Sequence, residues 1–176
     1  MRTIDEMTNL SKVARARLSE KYEVGVTPYE GLQISSDGTK KYLFPVRCSH
    51  KRGLNLRLQE DELEAGAIEA VMIPDDDRAT LCVSSQSGCR MGCKFCASTI
   101  GGRERDLMPS ELLGQITVAQ RDSGERISNV VMMGIGEPLD NYANVIKFLR
   151  LVGHPQGLNI GHRHISLSTC GLVDKI

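Results

Sequence analysis

The sequence predicts an α/β fold: part of a (βα) barrel, about three βα units, preceded by a small N-terminal α+β accessory domain. From Ala67 onward, short apolar runs of strand length alternate with stretches of helical period. The run Val130-Val131-Met132-Met133 is continuously apolar and ends at Gly134, as a strand buried on both faces does. The sequence reaches Ile176 just after a third unit, short of the strands a closed barrel requires, so a fragment or truncated product is expected.

Residues 8–22 place Leu10, Val13, Ala14 and Leu18 at helical spacing with charges between them, a short amphipathic helix with Thr8 as its cap. In residues 31–46, Ser36-Asp37-Gly38 is a turn signal before Lys41-Tyr42-Leu43-Phe44, which predicts a hairpin. Residues 47–65 are highly charged without a clear period and read as an exposed insertion. The accessory domain is therefore assigned to residues 1–66 and the barrel part to residues 67–176.

Within the barrel part, residues 68–73 alternate as a strand does, Pro74-Asp75-Asp76-Asp77 reads as a turn, and residues 79–84 form a second strand. Pro109 suits the first position of a helix whose apolar face is Leu112, Leu113, Ile116 and Ala119 and whose end lies near Gly124. Residues 141–152 give a helix with Tyr142, Val145, Ile146, Leu149 and Val152 on one side, and residues 164–168 a further strand. His162-Arg163-His164 reads as a basic entry to that strand.

Lys plus Arg and Asp plus Glu both number 22, so the overall charge neither advertises nor excludes a nucleic-acid partner. No apolar run approaches the roughly 18–20 residues of a membrane span, and the N-terminus is polar rather than signal-like. A cytoplasmic protein without membrane contact is expected. Its six cysteines then point to metal ligation or redox chemistry rather than to disulfides.

Three of them stand in Cys89-Arg90-Met91-Gly92-Cys93-Lys94-Phe95-Cys96. A four-iron cluster held by three thiolates leaves one iron without a protein ligand, where a cofactor can bind. The alternative is a structural zinc site, which closes with four ligands, commonly as two pairs. No second CxxC is present, so Cys48, Cys82, Cys170 or a histidine would have to complete it.

This spacing, with an aromatic residue before the last cysteine, resembles the radical S-adenosylmethionine (SAM) superfamily. The likeness extends through Asp76-Asp77-Arg78-Ala79-Thr80-Leu81-Cys82-Val83-Ser84-Ser85-Gln86, Asn129-Val130-Val131-Met132-Met133-Gly134-Ile135-Gly136-Glu137-Pro138-Leu139 and Ile165-Ser166-Leu167-Ser168-Thr169. Together these blocks resemble the adenine-C2 methyltransferases of 23S ribosomal RNA and transfer RNA, the RlmN-type enzymes. The Cfr methyltransferases, which act on C8, are close relatives.

The resemblance implies a partial radical-SAM barrel with a [4Fe-4S] cluster on Cys89, Cys93 and Cys96, and SAM contacted by Gly136, Glu137 and Ser168. It further implies Glu69 as a proton acceptor and Cys82 as a thiol that helps to resolve a covalent RNA intermediate. Read alone, Gly-Ile-Gly-Glu-Pro is a tight turn, Ser168 a strand terminator, Glu69 a solvated strand residue and Cys82 a buried strand cysteine. No role attaches to Cys48 or Cys170.

In the implied reaction, a cysteine near the family's C-terminus carries a methyl group from one SAM. A radical made from a second SAM activates that methyl for addition to adenine C2. That cysteine falls beyond Ile176, so turnover by these 176 residues alone is not expected. The implied partners are ribosomal and transfer RNA and a reducing electron donor, with the chain a monomer. Another radical-SAM enzyme, or a non-catalytic zinc or RNA-binding fragment, is the competing reading. Candidate phosphate contacts are Lys51, Arg52, Arg57, Arg90, Lys94, Arg103 and Arg105, and a loop adenine is the natural target because the base must be unstacked to react.

Overall fold

The computed structural model describes residues 3–22, 28–46, 66–76 and 78–176. The charged stretch 47–65, with Cys48, Lys51, Arg52 and Arg57, lies outside the described residues. Helix α1 spans Lys12–Ser19, and its cap is Ser11, whose side chain accepts the Ala14 N–H at 3.2 Å. The expectation of a helix over 8–22 capped by Thr8 is corrected: a turn closed by the Leu10 N–H on the Met7 carbonyl precedes Ser11. Val13 is 66 % exposed while Leu10, Ala14 and Leu18 are half-buried, so the apolar spacing gives a thinly packed face with no buried residue in α1.

Strands β1 (Gly31–Ile34) and β2 (Lys40–Pro45) form the expected hairpin. Its turn is set by Asp37, whose carboxylate accepts the Thr39 N–H at 3.0 Å and the Thr39 hydroxyl at 3.1 Å, while Gly38 takes a left-handed φ of 83°. Strand β3 (Ala67–Asp75) pairs antiparallel with β2 and with β4 (Arg78–Cys82). Pro74 and Asp75, expected in a turn, remain in the strand opposite Ala79 and Arg78. Pro74 lies past Met72, the last β3 partner of β2, where an open edge tolerates a missing donor.

A short hairpin follows, β5 (Gln86–Gly88) against β6 (Arg103–Asp106). Helix α2 (Pro109–Ser123) then crosses to β7 (Ile127–Met132), and α3 (Tyr142–Val152) leads on to β8 (Ile165–Leu167). Pro109 opens α2, the Glu111 carboxylate accepts the Met108 N–H at 2.8 Å, and Gly124 ends the helix with a left-handed φ of 74°. The main sheet has the order β1-β2-β3-β4-β7-β8. Its first pairings are antiparallel, whereas β4, β7 and β8 run parallel because a helix separates each from the next.

Alternation divides this sheet into two faces. Ile68, Ala70, Met72, Ala79, Leu81, Ile127, Val130 and Met132 are buried in one core with Leu112, Ile116 and Ala119 of α2 and Val145, Phe148 and Val152 of α3. The other face carries Glu69, Val71, Thr80, Cys82, Asn129 and Val131, all half-buried. Among the described residues no helix is long and apolar enough to cross a membrane.

A polar latch ties the first hairpin to the end of α2. The Asp122 carboxylate accepts the hydroxyls of Tyr29 at 2.8 Å and Tyr42 at 2.9 Å and pairs with Lys40 at 3.5 Å. Burial alone would raise the Asp122 carboxyl, but the two hydroxyls and Lys40 outweigh it and hold the group below its ordinary value. A depressed folded-state value stabilises the fold above the unfolded carboxyl's range, near ~3.9, and that contribution disappears as pH falls through the folded value. Asp122→Asn is expected to lower Tm by about 2–4 °C at neutral pH. The difference from the parent should vanish in acid, which thermal melts across pH will show.

Candidate cluster and cofactor site

Beyond Cys82 the chain leaves the sheet but stays buried: Ser84, Ser85, Gln86 and Ser87 are all inside. Buried backbone groups need partners, and here side-chain amides supply many of them. Gln115 of α2 mimics a ladder partner, accepting the Ser84 N–H and donating to the Ser84 carbonyl, both at 2.9 Å. Asn141 donates to the Ser85 and Leu107 carbonyls, each at 2.8 Å. The Ser85 N–H meets the Ile135 carbonyl at 2.8 Å.

This segment delivers the chain to the cysteine loop, which β5 and β6 close at its base together with a Cys89 N–H to Gly102 carbonyl bond of 2.9 Å. Gly88, at φ 70°, has no room for a side chain, because a Cβ there would lie 2.0 Å from the Gly102 carbonyl oxygen. Cys89 is buried, Cys93 and Cys96 are half-buried, and all three are free thiols, as are Cys82 and Cys170. Phe95 on the same loop is 94 % exposed, an uncovered aromatic beside the thiols.

The loop after β7 packs against this one. Gln86 accepts the Glu137 N–H at 2.9 Å and donates to Asp106 at 2.7 Å and to Asp140 at 3.0 Å. The buried Glu137 carboxylate accepts the Leu139 N–H at 2.9 Å and, from the segment after β8, the Thr169 hydroxyl and Cys170 N–H, both at 2.8 Å. Burial would raise this carboxyl, yet these donors outweigh it and hold it below the usual range, so it is ionised at neutral pH. Ser168 is exposed, and its N–H reaches the Met132 carbonyl at 3.4 Å. The cysteine loop, Gly136 with Glu137, and residues 168–170 thus meet at the C-terminal edge of the parallel strands, where open α/β sheets place ligands.

Glu69 and Cys82 lie elsewhere, on the half-buried sheet face, with Cys82 opposite Val71 and Glu69 two residues along β3. Glu69 pairs with Lys41 at 3.1 Å. Burial pushes the Cys82 thiol up, partly offset by the Met133 N–H. Sequence reasoning missed Gln86, Asp140 and Asn141, whose partners are distant in the chain. Gln115, by contrast, left a signal: an amide on the apolar stripe of a predicted helix.

Several basic candidates for RNA contact are engaged internally. Arg90 forks onto Asp140, Arg103 pairs with Asp106 at 2.7 Å, and Arg105 donates twice to Glu111, at 2.9 and 2.6 Å. Lys94 is exposed on the cysteine loop.

The donors fit an iron–sulfur cluster. Soft thiols suit iron–sulfur centres, and a four-iron cluster takes each thiolate on a different iron. Among the described residues no three His, Cys, Asp or Glu side chains, the loop cysteines included, converge on a single point.

The profile of the Radical SAM superfamily matches residues 83–176, and the chain belongs to this superfamily, whose cofactors are a [4Fe-4S] cluster and SAM. Among curated proteins it is 46 % identical over 177 residues to a probable dual-specificity RNA methyltransferase RlmN of Lachnoclostridium phytofermentans, covering all of this chain and 45 % of that protein. A protein of the same description from Clostridium botulinum strain Eklund 17B is 48 % identical, with 46 % of its length covered. A solved radical SAM methyltransferase from Sphaerobacter thermophilus superposes with a TM-score of 0.81 at 34 % identity, over 99 % of this chain and 48 % of that one. The chain therefore spans about half the length of the relatives it matches.

Gly136 has φ 101°, and a Cβ there would lie 2.5 Å from the Gln86 Cβ and 2.7 Å from the Gln86 nitrogen. Gly136→Ala is expected to cost about 2–4 kcal/mol in a urea titration, whereas Gly101→Ala, where a Cβ meets open space, should stay within about 0.5 kcal/mol. The raised Cys82 thiol should alkylate more slowly at neutral pH than an exposed model thiol and accelerate as pH rises, as peptide mass spectrometry will measure.

Proposed function

We propose that this chain is the cluster-bearing part of an RNA methyltransferase that methylates C2 of adenine in 23S ribosomal RNA and transfer RNA. The observation that carries the reading is the meeting of the three-thiol loop with the Gly136–Glu137 loop and the segment after β8 at one edge of the sheet. The similarity to RlmN-described proteins along the whole chain supports RNA as the substrate. When bound, the cluster supplies the electron that cleaves SAM.

The chain's residues have separable tasks in this scheme. Cys89, Cys93 and Cys96 would hold the cluster, with Cys89 buried and the other two half-buried. Gly136 brings backbone close to SAM. Glu137 faces the SAM ammonium, its carboxylate already oriented by the Leu139 and Cys170 N–H groups, the Thr169 hydroxyl and the Cys170 thiol. Ser168, exposed at the end of β8, contributes a hydroxyl to the same cofactor.

Glu69 accepts the proton lost from adenine C2, held in place by Lys41, and Cys82 presents a protonated thiol from the same sheet face. Residues 67–176 form the working unit and residues 1–66 the accessory one. The protein works in the cytoplasm as a monomer, served by a reducing electron donor.

A chimera tests the reading, with residues 1–176 replacing the matching part of the Clostridium botulinum relative. After anaerobic reconstitution and incubation with unmodified RNA and labelled SAM, nucleoside mass spectrometry is expected to show 2-methyladenosine. Cys89→Ala in the same chimera should lose both iron and product. An iron-loaded chimera that makes 8-methyladenosine, or no methylated adenosine, would contradict the proposal.

A further inference from the structure

Arg90 sits between the first two cysteines, and by default an exposed arginine there is a solvated charge or a phosphate contact. Its side chain is 59 % exposed, yet the guanidinium is committed: Nε donates to Asp140 Oδ2 at 3.0 Å and Nη2 donates to Asp140 Oδ1. This is a two-point fork, the geometry in which arginine fixes orientation as well as charge. Asp140 is only 7 % exposed, so the acceptor is a buried carboxylate rather than a mobile surface one.

Asp140 is in turn fixed relative to Glu137. Its N–H donates to the Glu137 carbonyl at 3.1 Å, and Gln86 bridges the two residues by accepting the Glu137 N–H and donating to Asp140 Oδ2. Arg103 Nε stands 4.0 Å from the same Asp140 oxygen. Among the described residues, the hydrogen bonds of residues 91–100 close within the cysteine loop itself, such as the Cys96 N–H on the Cys93 carbonyl at 3.0 Å. The Arg90 fork therefore reaches out of that loop to a residue 50 positions away.

We propose that Arg90 and Asp140 are positioning residues, a clamp that sets the cysteine loop against the Gly136–Glu137 loop and so governs both retention of the cluster and affinity for SAM. The clamp rests on the reading of Cys89, Cys93 and Cys96 as cluster ligands. Arg90 acts through Asp140 and Gln86, and its effect is one of loop registration.

The test uses the full chain, reconstituted anaerobically with iron and sulfide. Two quantities are read: the lifetime of the cluster absorbance under challenge by an iron chelator, and the SAM concentration giving half of the spectral change in the reduced cluster. Arg90→Ala and Asp140→Asn are each expected to shorten the lifetime and raise the SAM midpoint by roughly three- to tenfold, with Tm showing that both remain folded. Arg90→Lys, which keeps the charge without the fork, should fall between them and the parent.

The double variant should be no worse than the more damaging single one, because Arg90→Ala removes nothing that Asp140→Asn has not already disrupted. Should Asp140→Asn fail to fold, the exposed Arg90→Ala and Arg90→Lys pair carries the test. Parent-like lifetimes and midpoints in the Arg90 variants, or effects that add in the double variant, overturn the clamp while leaving the cluster reading intact. A parent protein that takes up no cluster overturns both.

Discussion

The stretch from Ser84 to Ser87 has to leave a buried strand end and remain buried while carrying polar backbone and polar side chains. Buried donors and acceptors without partners cost on the order of 1–3 kcal/mol each, enough to erase a domain's stability if several were left open. The structure meets this constraint with two interior amides, Gln115 and Asn141, and with the Ile135 carbonyl, which accepts the Ser85 and Gln86 N–H groups. Each comes from a different element, so the strand exit can form only when α2, the loop after β7 and the start of α3 are all in place. The cysteine loop hangs from that exit, which makes its position a product of tertiary structure.

The same network explains how a buried acidic residue can stand at the edge of the site. Glu137 is ionised because Leu139, Thr169 and Cys170 donate to it, and two of those donors arrive from beyond β8. Strand β8 therefore completes the electrostatics of the loop after β7. Its parallel register with β7 places residues 168–170 next to that loop. The opposite sheet face, with Glu69 and Cys82, is less covered and holds its charge by pairing with Lys41.

Much of the fold was legible because local chemistry and tertiary structure agree. Pro109 and Gly124 bracket α2, Ser36-Asp37-Gly38 makes the first turn, and the apolar run from Val130 is a strand, although only one of its faces is buried: Val131 is half-buried and Met133, past the strand end, is exposed. Where they disagree the sequence misleads. Residues 8–22 have helical spacing, but little packs on them, so the helix contracts to the segment that Ser11 caps. The cysteine spacing announced the thiol loop, while its fastening to Asp140 could not be read, because a pairing across 50 residues leaves no periodic trace.

The most direct test of the account is iron content together with a spectrum of the reduced, anaerobically reconstituted chain, recorded with and without SAM. The account predicts about four irons per chain and a spectral change when SAM is added, the behaviour of a cluster with one iron free of protein ligands. Stoichiometric zinc in place of iron, or a cluster whose spectrum ignores SAM, would contradict it.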